Sequence, residues 1–243
     1  MTSNGNNAEP GIKKVLGIFA HPDDPEYFAG ATFARWAAEG AEVTFVLATS
    51  GDKGSEDPEI TSEQLQLIRE EEERKAAAAL GVKEVVFLRH PDGMLQATLE
   101  LRRELSRMIR LKQPDVVVTC DPTMWFRERY VNHPDHRAIG EAALAAVFPA
   151  SRDRLTFVEL ERDEGLQPHK VDYLYIAGAV NPTKIVDVTD YIETKIDSLR
   201  EHKSQIKDIE ATATRIREWA LDPDAPDDAP PRHIERFHVI KFS

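Results

Sequence analysis

Short apolar runs alternate with longer amphipathic stretches along the first 150 residues of the chain. The apolar runs are rich in β-branched residues and cover residues 13–20, 41–48, 84–88 and 115–119. The amphipathic stretches repeat apolar residues at helical spacing and cover residues 26–39, 62–80, 99–112 and 134–147. This alternation predicts an α/β fold, a Rossmann-like, doubly wound and mainly parallel sheet with helices on both faces.

Beyond residue 150 the pattern is less regular. It predicts strands over residues 173–177, 184–188 and 233–242, and one long helix over about residues 191–220. The proline- and aspartate-rich stretch 222–231 is typical of a loop. We expect residues 1–11 to be a disordered tail and residues 12–243 to form one domain.

Composition narrows the functional classes. The formal charge of −12 disfavours a nucleic-acid partner, since phosphate backbones are bound by basic patches. Cys120 is the single cysteine, so no intrachain disulfide can form, which suits a reducing cytoplasm. The first residues lack the apolar run of a signal peptide, and no stretch approaches the roughly 18 apolar residues of a membrane span. We therefore expect a cytoplasmic protein with no membrane partner, acting on a small molecule.

The tripeptide His-Pro-Asp occurs three times, at residues 21, 90 and 133. The first copy lies in FAHPDDPEYFAG, where a predicted strand runs directly into a helix. Ligands bind at such carboxyl ends of strands in open α/β sheets. His21 and Asp24 are three residues apart, so a tight turn could direct both at one point. Helix capping by Asp23 or Asp24 is the simpler alternative.

The third copy, in VNHPDHRAIG, repeats this arrangement at another strand-to-helix junction. Pro134 suits the first helical position, which makes His133 the N-cap and places His136 in the first turn. A helix N-terminus disfavours a charged imidazole, and the neutral ring is the form that binds metals. Each histidine alone is more simply a structural or solvated residue.

Together, His21, Asp24 and His136 predict a metal site. Catalytic zinc takes three such ligands and leaves a position for water. The same ligand set suits iron(II), so ligand type alone does not name the metal.

Several segments of the chain form a recognisable set of motifs: AHPDDPE, TSGDKG, Arg69 with Glu72, and HPDH, with a weaker similarity at HKSQ, residues 202–205. This set resembles a known family, the PIG-L/LmbE-like zinc-dependent N-deacetylases. The resemblance implies that His21, Asp24 and His136 hold zinc, that Asp23 is the general base, and that His133 stabilises the oxyanion or acts as an acid. It also implies removal of an N-acetyl or other N-acyl group from a small amino-sugar-like substrate.

Candidate substrate-binding residues carry weaker signals. Asp92 lies in the second His-Pro-Asp copy, where Asp-Gly is a common turn signal, and we expect this loop at the rim of a pocket. The family resemblance makes Arg69 a substrate contact, although its charged helix is typical of a solvated face. Arg127, Arg129 and Tyr130 lie in an aromatic and basic segment that could form a pocket wall, or equally an interface.

Two other functions fit parts of the pattern. One is a metal-dependent hydrolase of esters or phosphoesters, although two-metal phosphatase sites usually need more ligands than these loops offer. The other is a non-catalytic carbohydrate-binding protein whose loops are ordered by a metal. A homo-oligomer is left open.

The sequence offers no ligand-spaced partner for His202, which we expect at the surface or bonded to a neighbour.

Overall fold

The computed structural model of the protein describes residues 11–226 and 228–242, which form a layer of strands surrounded by helices. Seven strands make one sheet in the order β3-β2-β1-β4-β7-β9-β8. A two-stranded ribbon, β5-β6, lies outside it. The strands are β1 Lys14–Phe19, β2 Glu42–Thr49, β3 Glu84–His90, β4 Val116–Cys120, β5 Phe126–Arg127, β6 Tyr130–Val131, β7 Tyr173–Ala177, β8 Lys184–Asp187 and β9 Ile234–Lys241.

The central strands are buried on both faces, as their continuous apolar runs predict. In β1, β2 and β4 nearly every residue is buried. Strands β1 to β4 and β7 run parallel, whereas β9 is antiparallel to both β7 and β8. The predicted fold, a mainly parallel α/β sheet, is confirmed.

Helices pack around the sheet in two groups, α1 with α2 and α6, and α3 with α4. Thr61 and Gln64 form a capping box at the start of α2, which satisfies two backbone donors and fixes where this helix begins. The helices are α1 Asp24–Ala38, α2 Ser62–Ala79, α3 Leu99–Lys112, α4 Pro134–Ala145, α5 Val158–Arg162, α6 Ile192–Leu199 and α7 Ile209–Ala220.

The single long helix predicted over residues 191–220 is wrong. The chain forms α6 and α7 with turns between them over residues 200–208. Ser204 is bonded to Glu72 through its backbone N–H at 2.8 Å and its hydroxyl at 2.6 Å. Asp208 then caps α7 by accepting from the backbone N–H of Ala211. These bonds give partners to backbone groups that would otherwise be bonded within a continuous helix. The bonds from Ser204 also hold the turn against α2.

Residues 1–10, most of the tail expected to be disordered, lie outside the described residues. Among the helices that the structure describes, none combines the length and the apolar character needed to cross a membrane.

Candidate active site

Three loops meet at the carboxyl edge of the sheet. Strands β1 and β4 are parallel neighbours, so the segments that follow them leave from the same edge. The chain travels outward from β1 to β2 and β3 and returns to β4 on the other side, which makes this edge a topological switch point where α/β proteins bind ligands. His21 follows β1, Asp92 follows β3, and the β5-β6 ribbon leads from β4 to His133 at the start of α4.

The carboxylate of Asp24 lies between two imidazoles. His21 Nδ1 is 3.2 Å from one of its oxygens, and His136 Nε2 is 3.0 Å from the other. All three residues are buried. Burial alone would raise the pKa of Asp24, but the two imidazoles outweigh it and hold that pKa well below its usual range. The structure therefore brings together the three residues predicted to hold a metal.

Asn132 fixes the tautomer of His136. Its Oδ1 lies 3.0 Å from His136 Nδ1, and its own amide N–H donates to the carbonyl of Met124 at 2.7 Å. Because that second bond identifies Oδ1 as the acceptor, His136 Nδ1 carries the proton. Nε2, the nitrogen facing Asp24, is then free to donate its lone pair to a cation. Such hydrogen bonds behind a ligand orient it and increase its affinity for metal.

His21 is oriented in the same manner by two carboxylates. Its Nε2 lies 3.1 Å from Asp92 Oδ1 and 3.3 Å from Asp135 Oδ2. Burial would lower the pKa of His21, but Asp24, Asp135 and Asp92 together raise it to about 12. Three carboxylates around one imidazole thus favour a positive charge at this position. The charged ring must lose one proton before it can bind a metal; the two carboxylates at Nε2 favour keeping the proton there, so Nδ1, which faces Asp24, is the nitrogen that becomes available.

Asp135 joins two of the loops and was not singled out from the sequence. Besides facing His21, its carboxylate accepts the backbone N–H groups of Gly93 at 2.8 Å and Leu95 at 3.2 Å. It lies between His133 and His136, inside the motif that indicated the site, and this position was the signal that could have identified it.

His133 caps α4 as predicted. Its Nδ1 accepts the backbone N–H of Asp135 at 3.3 Å, so in the neutral ring the proton lies on Nε2. Its ring centroid is 4.6 Å from that of His21, and nitrogens of His21, His133 and His136 lie within 4.8 Å of one another. Burial and the neighbouring His21 lower the pKa of His133, which favours the neutral ring.

Asp23 adopts a left-handed backbone conformation, with φ 91° and ψ −27°, at the N-cap of α1. Non-glycine residues avoid this region, and those found there cluster at functional sites. Its side chain does not cap the helix, so the simpler interpretation of Asp23 as a cap is wrong. Burial raises the pKa of Asp23 to about 6, partly offset by Arg69.

Arg69 is buried rather than solvated. Its guanidinium donates to the carbonyls of Gly51 at 3.0 Å and Pro22 at 2.6 Å, and to Asp23 Oδ2 at 3.2 Å. Gly51 has φ +64°, and a Cβ there would lie 2.2 Å from Arg69 Nη1, so only glycine fits. Arg69 therefore ties the loop after β2 to the turn after β1, and its contact with substrate stays a prediction.

The other predicted substrate-binding residues lie around this centre. Asp92 is buried, 6% exposed, and faces His21, within the loop that we expect at the rim of the pocket. Arg127, Arg129 and Tyr130 lie on the exposed β5-β6 ribbon. Tyr130 Oη donates to Asn132 Oδ1 at 3.4 Å, one contact away from His136. Their contact with a substrate stays a prediction.

A buried group of three ionisable side chains, the Glu26–Glu73–His202 cluster, lies behind the β1–α1 turn and was also missed. Each residue is 0% exposed, so the surface position considered for His202 is wrong. Neither ring nitrogen of His202 has a hydrogen-bond partner among the described residues. Burial and the carboxylate of Glu26 raise the pKa of Glu73 well above its usual range. The HKSQ segment was the weak signal for this cluster.

A protein-family model described as PIG-L, GlcNAc-PI de-N-acetylase, matches residues 16–147, more than half of the chain. The chain belongs to the PIG-L family. The matched region contains His21, Asp23, Asp24, Arg69, Asp92, His133 and His136, which are the residues just described.

The similarity to individual known proteins extends beyond residues 16–147. A diacetylchitobiose deacetylase of Thermococcus kodakarensis is 36% identical over 194 residues, covering 80% of this chain and 70% of the relative. A 1D-myo-inositol 2-acetamido-2-deoxy-alpha-D-glucopyranoside deacetylase of Saccharomonospora viridis is 31% identical over 233 residues, covering 79% and 85%. The solved structure of N,N′-diacetylchitobiose deacetylase from Pyrococcus horikoshii, with an inhibitor bound, superposes with a TM-score of 0.82 at 31% identity, covering 95% of this chain and 84% of that one.

The comparisons confirm the predicted family and fold. The relatives are named as deacetylases of N-acetylated amino sugars. The histidine and aspartate groups at the carboxyl edge of the sheet could hold a metal ion.

Proposed function

We propose that this protein removes the N-acetyl group from an N-acetylglucosamine unit of a small saccharide by hydrolysis. In this proposal His21, Asp24 and His136 hold a divalent cation, Asp23 is the general base, and His133 stabilises the oxyanion. The observation that carries it is the Asp24 carboxylate facing His21 Nδ1 at 3.2 Å and His136 Nε2 at 3.0 Å, at the switch point of a PIG-L sheet.

The donor set fits zinc. Two imidazole nitrogens and a carboxylate oxygen are the ligands of catalytic zinc sites, and the hydrogen-bond partners behind each ring favour a proton on the nitrogen that faces away from Asp24. Zinc bound there would polarise an amide carbonyl and lower the pKa of a water in its coordination sphere. Iron(II) accepts the same ligands, so metal analysis decides between the two.

The contacts of Asp23 support the proposed role in moving a proton. Arg69 donates to its Oδ2, which leaves Oδ1 to take the proton from the attacking water. With a pKa raised to about 6, the carboxyl group is mostly ionised at neutral pH yet accepts a proton readily. It can then return that proton to the departing amine, which must be protonated to leave.

His133 is suited to stabilise negative charge rather than to supply a proton. Its ring is neutral with the proton on Nε2, and its other nitrogen is occupied by the Asp135 N–H. A preorganised donor of this kind contributes about 3 kcal/mol when charge develops on the carbonyl oxygen. We propose that His133 Nε2–H donates to that oxygen.

The substrate class rests on the relatives. Those matched here are named for diacetylchitobiose and for a glucosaminyl inositol, which share an N-acetylated glucosamine. We propose the same unit as the substrate, with Asp92, Arg127, Arg129 and Tyr130 contacting its hydroxyl groups. Ester or phosphoester hydrolysis and a non-catalytic binding role are not favoured by any of these matches. Cytoplasmic location, the lack of a nucleic-acid partner and any homo-oligomer stay predictions.

An amine-release assay tests the proposal. We expect free amine and acetate from N,N′-diacetylchitobiose or N-acetylglucosamine, and no phosphate or alcohol from matched phosphoester and ester substrates. Asp23→Asn should keep bound metal and lose most turnover, whereas His136→Ala should lose the metal. Release of phosphate instead of amine, or a fully active Asp23→Asn protein, would contradict it.

A further inference from the structure

Burying the Glu26–Glu73–His202 cluster costs free energy, because all three side chains are ionisable and none touches solvent. A cluster retained at such a cost is expected to have a structural or functional role. The residues come from α1, α2 and the turn between α6 and α7. His202 Nε2 is 3.6 Å from Glu26 Oε2 and 3.8 Å from Glu73 Oε2. The bonds from Ser204 to Glu72 keep that turn, and with it His202, against α2.

The cluster has one direct contact with the active site. Glu73 Oε2 accepts the backbone N–H of Asp23 at 3.0 Å. Asp23 is the residue with φ 91°, a conformation that persists only when the surroundings enforce it. This hydrogen bond fixes the orientation of the Asp23 backbone N–H.

A second contact holds Asp23 by its side chain. Arg69 Nη2 donates to Asp23 Oδ2 and to the carbonyl of Pro22, the preceding residue. The backbone bond to Glu73 and the side-chain bond to Arg69 together determine where the carboxylate points. Without Glu73, the Asp23 peptide could relax to a negative φ, which would rotate the carboxylate away from Asp24.

We propose that Glu73, supported by His202 and Glu26, is a positioning residue that holds Asp23 in the left-handed conformation required of the base. This rests on the proposed function, because it assumes that Asp23 takes the proton from water. It assigns a role in turnover to a buried group that touches neither the metal ligands His21 and His136 nor the mouth of the site.

Two substitutions at one position separate positioning from simple burial. Glu73→Gln keeps an oxygen that can accept the Asp23 N–H, whereas Glu73→Met fills similar space without an acceptor. On N,N′-diacetylchitobiose we expect Glu73→Met to lower kcat about tenfold or more, with KM and one bound zinc per chain unchanged, since a buried backbone donor is left unpaired. Glu73→Gln should retain kcat within about threefold, because the acceptor is restored.

Glu70→Met is the matched control. Glu70 lies on the same helix, is also buried, and bonds to Arg89, Arg74 and Ser50 instead of Asp23. It should lose stability while its kcat stays within about twofold, as for a change remote from the reacting groups. If Glu73→Met fails to fold, His202→Gln serves in its place and should lower kcat at unchanged KM and metal content.

Three results would overturn the proposal. One is a Glu73→Met protein with wild-type kcat; another is equal loss in the Met and Gln variants. The third is a second metal ion per chain that disappears with Glu73→Met, which would make the cluster a metal site. An inactive wild type would point to failure of the proposed function, whereas an active wild type with an active Asp23→Asn variant would refute the base assignment and this positioning role with it.

Discussion

Gly140 offers a substitution whose two effects have opposite sign. It lies inside α4, four residues after His136, where the helix packs against the end of β4. In a helix interior, Gly→Ala normally stabilises a protein by about 0.5–1 kcal/mol. At this position, however, an added Cβ would lie 2.4 Å from the carbonyl oxygen of Cys120 and 3.1 Å from Pro122 N.

The contact geometry decides which effect is larger. Ordinary contacts begin at 3.4 Å, so α4 would have to move by about 1 Å, and the neighbouring atoms are backbone that cannot rotate away. Overpacking of this kind costs about 1–3 kcal/mol. We therefore expect Gly140→Ala to destabilise the protein by about 0.5–2 kcal/mol, after the gain in helix propensity is subtracted.

The same movement would disturb the active site, because α4 carries His133 and His136 and the end of β4 lies beside β1. A displacement of about 1 Å can reduce turnover about 100-fold. Urea unfolding followed by tryptophan fluorescence, together with amine release, measures both effects. Glu141→Ala, at the exposed neighbouring position, should change stability by less than about 0.5 kcal/mol. A Gly140→Ala protein that is more stable and equally active would refute this reasoning.

Three further predictions test other contacts in the active site and in the fold. Asn132→Leu removes the acceptor for His136 Nδ1 and should weaken zinc binding about 10–100-fold in a chelator competition; unchanged affinity would show that Asn132 does not orient the ligand. His133→Ala should lower kcat about 100- to 1000-fold with one metal per chain retained, whereas an apo protein would make His133 a ligand. Glu70 has its pKa lowered from 4.5 to about 2, chiefly by Arg89, so its ion pair stabilises the fold above pH 4.5 and this contribution is lost as pH falls towards 2. Glu70→Gln should therefore be less stable than wild type by about 1–3 kcal/mol at pH 7, with the difference shrinking between pH 4.5 and 3; a constant difference would contradict the ion-pair explanation.

Local signals in the sequence predicted the strands and helices that surround the site. The helix-start signal at Pro134 acts within a few residues, so it could be recognised without knowing the fold. The convergence of His21 with His136 also followed from local facts, since each comes after a parallel strand and such strands share an edge.

Long-range contacts account for what could not be predicted. No glycine or proline interrupts residues 200–208, and the break between α6 and α7 is held by Ser204 bonding to Glu72, 132 residues away. The burial of His202 follows from that turn. The Asp-Gly signal at Asp92 describes only a turn, whereas the contact of Asp92 with His21 depends on how three loops pack together.

Metal titration of the activity tests the central claim most directly. The protein, stripped by a chelator and dialysed, should release no amine from N,N′-diacetylchitobiose, and activity should return in proportion to added Zn²⁺ up to one equivalent per chain. The His136→Ala protein should recover nothing over the same range. Amine release that survives chelation, or wild-type activity that stays absent with Zn²⁺ and with Fe²⁺, would contradict a deacetylase built on His21, Asp24 and His136.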